Sequence, residues 1–210
     1  MSHDQENKST LRLPVVNPFA TRFTRPGAMR FRCPESLIDS LRKQLLCPEV
    51  VQIVGPHGSG KTTLAITLAR ELLQHGIPVQ LVQAWSARAI GCRIYSRGPS
   101  SGSVLFMDGF GKLNWLTRMS LRRYCCDNRV TLVPIVHRRL KGVPLLYATI
   151  PNAVEFAALS RWLQRNLPRP VISAELAKAA WIRHEGDYRE AFMELYDHYQ
   201  RFLSDTTRAA

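Results

Sequence analysis

GPHGSGKT, residues 55–62, follows directly on the apolar run VVQIV at 50–54 and leads into TLAITLARELLQ at 63–74. A short apolar run before the glycines predicts a buried strand, and Leu64, Leu68 and Leu72 after them predict one face of a helix stopped by Gly76. Between the two, the chain must curl tightly enough to aim main-chain N–H groups from His57 to Thr63 at one point. Gly55, Gly58 and Gly60 allow backbone angles and close approaches that a side chain would obstruct. A polyphosphate needs many donors at short range. The start of a helix adds a favourable field of roughly 0.3–1 kcal/mol per interacting charge at exposed sites. Lys61 supplies a cation and Thr62 a hydroxyl suited to a magnesium ion.

The spacing G-x-x-x-x-G-K-[ST], set between a strand and a helix, resembles the Walker A motif of P-loop NTPases. The resemblance implies bound ATP and Mg²⁺. Gly55, Pro56, His57, Gly58, Ser59, Gly60, Lys61, Thr62 and Thr63 would form the nucleotide contacts. VLFMD at 104–108 is an apolar strand ending in a carboxylate, which resembles Walker B, so Asp108 joins Thr62 as an expected metal ligand. A strand expected at 77–82 separates the two motifs. This resembles the P-loop branch that includes the ABC-type and AAA+ ATPases, where another strand is inserted between the Walker A and Walker B strands of the sheet. No LSGGQ run is present, which argues against an ABC transporter ATPase.

Many members of that branch carry Glu directly after the Walker B Asp, to orient water. Here the position is Gly109, which cannot do so, and Glu155 and His137 are the substitutes the topology suggests. His137 closes the expected strand TLVPIVH and resembles a γ-phosphate sensor. HEGDYREAF at 184–192 resembles the G-D-x-R segment of AAA+ lids, in which Arg189 would reach the nucleotide. Lys61, Asp108, His137 and Arg189 are thus the expected catalytic set. Arg161 and Arg165 are candidates for an arginine finger or a kinase-like lid, against the plain alternative of a solvated helix face.

The alternation of apolar strands (50–54, 77–82, 104–107, 130–136, 145–149) with helices (34–46, 60–75, 112–126) predicts an α/β fold. The expected form is the P-loop NTPase fold, a parallel five-stranded sheet flanked by helices. Three helices at 152–167, 173–184 and 187–204 would form a small C-terminal lid-like segment. The expected division is a tail and extended arm over 1–33, a core over 34–150 and a helical segment over 151–210. Phe19, Phe23 and Phe31 in the arm would anchor it by burial or stack on bases.

An apolar fraction of 45% supports a packed core, and no run approaches the roughly 18 residues a membrane span needs. The polar N-terminus lacks the apolar stretch of a signal peptide, so a soluble, cytoplasmic protein is expected. Five cysteines without CxxC spacing argue against a disulfide framework and a zinc site. Net charge is +13, with eight Lys/Arg and one acid between 111 and 142. That basic segment, 112–141, makes an anionic partner, nucleic acid or acidic protein, an expectation. Three functions remain open on this reading: an AAA-like ATPase, a small-molecule kinase with Asp108 as base, and a nucleotide-dependent binding protein with little turnover.

Overall fold

The computed structural model describes residues 16–47, 49–83 and 98–208. The expected tail at 1–10, the arm's first residues and most of the loop after Gln83 lie outside the described residues. Five strands form one all-parallel sheet: β1 Gln52–Val54, β2 Val79–Gln83, β3 Val104–Asp108, β4 Thr131–Val136 and β5 Leu145–Ala148, in spatial order β2-β3-β4-β1-β5. The strand inserted between β1 and β3 is β4, so Val54, Val136 and Asp108 end side by side at the carboxyl edge.

Burial explains the strands. Every residue of β4 is buried, as are the first four of β3. Pro134 sits inside this central strand and removes one ladder donor. Its neighbours Val133 and Ile135, 0% and 1% exposed, hold the strand by apolar packing instead. Gln52, fully buried beside them, donates to the carbonyls of Leu140 (3.0 Å) and Val143 (2.6 Å) and accepts from the Leu140 amide at 2.8 Å. That one side chain ties down the loop between β4 and β5.

Helices cover both faces. After a single turn at Thr21–Thr24, designated α1, come α2 Glu35–Gln44, α3 Lys61–Gln74 and α4 Trp115–Asp127. Leu64, Ala65, Leu68, Ala69 and Leu72 of α3 join Ile38 and Leu41 of α2 in the core on one face. Leu121 and Cys125 of α4 close the other. The helix expected from 112 instead begins at Trp115. Phe110–Lys112 is a 3-10 turn, and Asn114 caps α4 by accepting from the Thr117 amide at 2.8 Å.

The C-terminal helices are α5 Ala153–Leu163, α6 Ala174–Arg183 and α7 Tyr188–Arg208. Asn152 and Ser173 cap the first two through their side chains. Buried Gln164 accepts from the amides of Val171 and Ile172 and donates to the carbonyls of Ser160 and Ile172, fixing the α5–α6 turn. These helices hold a third apolar cluster around Phe156, Ala180, Phe192, Leu195 and Tyr199. Phe19 of the arm belongs to it, while Phe31 packs near the sheet and Phe23 is exposed.

Candidate nucleotide site

The loop after β1 has the backbone its glycines permit. Gly58 and Gly60 have φ of +66° and +85°, the left-handed region that ordinary side chains avoid. Gly55 is restricted by space. A Cβ there would lie 2.1 Å from Thr149 Oγ1 and 2.7 Å from the Thr149 carbonyl oxygen. The Ser59 hydroxyl is 2.6 Å from Thr149 Oγ1 and donates to the Pro56 carbonyl at 2.8 Å. Ser59 therefore shapes the loop from within. Thr149, just beyond β5, is a site residue that sequence reasoning missed. Its signal was the position of β5 beside β1, visible only once the strand order is known.

Among the described residues, no main-chain hydrogen bond takes the N–H of His57, Gly58, Ser59, Gly60 or Lys61. Lys61 is 6% exposed, and its Nζ donates to the Pro56 carbonyl at 2.5 Å. Burial lowers its pKa, against the pull of Asp108 and Asp187. Free amides around a nearly buried ammonium fit a bound polyphosphate. Thr62 Oγ1 donates to Asp108 Oδ2 at 2.8 Å, so the two expected metal ligands meet at the end of β3. A hydroxyl and one carboxylate suit Mg²⁺, which takes few protein ligands and completes its shell with water and phosphate.

His137 follows β4 and stacks on His57, ring centroids 3.6 Å apart. Burial lowers its pKa, and Lys61 and His57 add to this against a hydrogen bond to the Gly55 main chain. Neutral imidazole is therefore its form near pH 7. Glu155 stands in the first turn of α5, where it accepts from the Tyr188 hydroxyl at 3.2 Å. Burial raises its pKa. Arg189 is exposed in the first turn of α7.

Two further contacts were not legible. Asp187 accepts from the amides of Arg189 (2.8 Å) and Glu190 (3.2 Å), as a helix cap should. The same side chain rests on the glycine loop: a Cβ on Gly58 would lie 1.9 Å from Asp187 Oδ1. Phe31 of the arm lies over Gly60, 3.4 Å from a Cβ placed there, with its amide donating to Thr67 Oγ1 at 3.0 Å. The start of α7 and the arm thus both reach the loop.

The basic segment is mixed. Arg118 turns back to the Gly111 carbonyl, and Arg123 pairs with Asp127 at 3.6 Å. Lys112, Arg122, Arg129, Arg138, Arg139 and Lys141 are exposed. The described cysteines are free thiols, with buried Cys125 pushed up to about 12. No helix of the described residues is long and apolar enough to cross a membrane.

No protein-family model matches the chain, and no curated protein matches it in sequence. Solved structures do match in shape. The Holliday junction branch migration motor RuvB of Thermotoga maritima superposes with a TM-score of 0.56 at 20% identity, over 83% of this chain and 64% of that one. The replication initiator DnaA bound to AMPPCP and single-stranded DNA gives 0.57 at 14% identity, over 83% and 63%. NtrX of Brucella abortus in complex with ADP gives 0.52 at 15% identity, over 75% and 47%. The chain spans less than two thirds of the length of each. With the strand order and the loop geometry, these matches show that the chain has the P-loop NTPase fold in its AAA-like form.

Proposed function

We propose that the protein is an ATP-binding switch of AAA-like type, in which Mg-ATP binding and slow hydrolysis move the C-terminal helices relative to the phosphate loop. The observation that carries this reading is Asp187 resting on Gly58. An anionic side chain at the start of α7 occupies the rim of a cradle suited to phosphate. Like charges at that distance repel, so phosphate entry favours a different seat for α7. Lys61 would leave the Pro56 carbonyl to bind phosphate, and Thr62 and Asp108 would exchange their mutual hydrogen bond for the metal. Bound Mg²⁺ supplies neutralisation of phosphate oxygens. Neutral His137 at the tip of β4 can hydrogen-bond a terminal phosphate or its attacking water, and Arg189 can answer the charge from α7. Gly109 offers no carboxylate to activate water, which favours slow turnover. ATP is preferred because neighbours of this fold were solved with AMPPCP and ADP.

Calorimetry with Mg-ATP tests the reading. One site per chain is expected, weakened roughly 10- to 150-fold by Lys61→Ala, which corresponds to the 1.5–3 kcal/mol of a charged hydrogen bond. Equal affinity in variant and parent, or no uptake of any magnesium nucleotide by folded protein, overturns it. Phosphate release without an acceptor supports the ATPase. Consumption only with a metabolite present supports a kinase.

A further inference from the structure

A cleft of about 610 Å³ lies away from the glycine loop, between the arm, the outer side of α3 and the end of α5. Four of its lining residues are arginines: Arg22 and Arg25 from the arm, Arg70 from α3 and Arg165 following α5. Among the described residues no acid lines it, and none of the four arginines pairs with a carboxylate. Arg30, on the same arm, is the contrast, being held by Glu35 and Glu71 at 2.9 and 2.8 Å. Concentrating unpaired cations in a concave wall costs free energy that an anion would recover.

Two aromatic rings share the cleft. Phe23 and Trp162 are 38% and 39% exposed, a large fraction for such side chains. The Arg22 guanidinium lies 4.8 Å from the Phe23 ring centre and that of Arg165 3.7 Å from Trp162. Arg165 donates to the Trp162 carbonyl at 2.9 Å and Arg70 to the Gly27 carbonyl at 2.8 Å, so both are already oriented. Cations interleaved with flat rings match a ligand that alternates phosphates with bases. Four guanidinium groups exceed what one monophosphate can satisfy.

We propose that this cleft is a second binding site, which takes a short run of single-stranded nucleic acid through its phosphates and stacked bases, without reading sequence. The site is separate from the phosphate loop and does not depend on the nucleotide reading. It also differs from the basic segment at 112–141.

The test is fluorescence anisotropy of a labelled fifteen-residue oligothymidylate, without nucleotide, at several salt concentrations. Arg22→Ala/Arg165→Ala is expected to bind at least tenfold more weakly, with the salt slope reduced by about 1.4 for two lost phosphate contacts. Trp162→Ala is expected to weaken binding several-fold without changing that slope. Arg122→Ala/Arg123→Ala should bind as the parent does, and excess Mg-ATP should not displace the strand. All the substituted side chains are exposed, and unchanged melting temperatures confirm folded variants. Four outcomes overturn the proposal. One is equal binding by parent and cleft variants. Another is loss of binding in the Arg122/Arg123 variant instead. The third is full displacement by Mg-ATP. The last is equal affinity for free thymidine monophosphate, or for duplex, and for the strand.

Discussion

Gly109 has φ of +79°, and its carbonyl accepts from the Lys112 amide at 2.8 Å to open the 3-10 turn after β3. A glutamate here would have to hold the left-handed conformation, at about 1–2 kcal/mol. The missing carboxylate thus follows from how β3 ends. For a chain of this size, Gly109→Glu is expected to lower the melting temperature by roughly 2–8 °C and, because it supplies the carboxylate that Gly109 lacks, to raise phosphate release per folded molecule. Unchanged release or an unchanged melting temperature would contradict that account. The glycine spacing was legible because each backbone demand at Gly58 and Gly60 is local. Thr149 was not, since its contact with Ser59 spans 90 residues and exists only through the register of β5 beside β1.

The start of α7 shows the same limit at the level of an element. The sequence carries the cap spacing at Asp187 on its face, because cap chemistry involves only the next three residues. It could not predict that the cap also seats the helix on Gly58, because that contact comes from tertiary packing. The two roles separate by substitution. Asp187→Asn keeps a good cap and removes the charge, so stability should hold while Mg-ATP binds several-fold tighter. Asp187→Ala loses the cap too, costing about 0.5–2 kcal/mol, but should show the same gain in affinity. Titration calorimetry with parallel melts decides this, and weaker binding in both variants would remove Asp187 as an obstacle to phosphate. A second contact of α7 sets its acid tolerance. Arg183 and His184 hold Glu194 down at about 2, from an ordinary value of 4.5. A depressed carboxylate stabilises the fold above its unfolded value, and that contribution is lost as pH falls from about 4.5 toward 2. Glu194→Gln should therefore lower the melting temperature at pH 7 and narrow the gap to the parent as pH drops through that window. A constant gap would show that the ion pairs contribute nothing to folding.

Over the whole molecule, the sheet's apolar runs and the helical periodicities exposed the α/β core, and resemblance supplied the insertion of β4. Neither predicted how the arm connects the parts, because Phe19, Phe23 and Phe31 look alike in sequence. Phe31 lies over Gly60 and meets Tyr147 edge-on, with ring centres 6.1 Å apart. Phe19, 2% exposed, packs among the C-terminal helices, 6.4 Å from both Phe192 and Tyr199. Asn17 fastens the same stretch by donating to the Tyr196 carbonyl at 2.9 Å. The apolar cluster that holds Phe19 is distinct from the two on the faces of the sheet. Truncating Phe19 should therefore remove support mainly from one of the three. A buried Phe→Ala change costs about 3–5 kcal/mol, comparable to the whole stability of a small helical unit. For Phe19→Ala, hydrogen exchange should accelerate across 153–208 while β1, β3 and β4 keep most of their protection. The phosphate loop would lose its contact with Asp187 in the same variant, so exchange near Gly58 should rise with that of α7. Uniform acceleration across sheet and helices would show instead that the arm, the core and the C-terminal helices open as one cooperative unit.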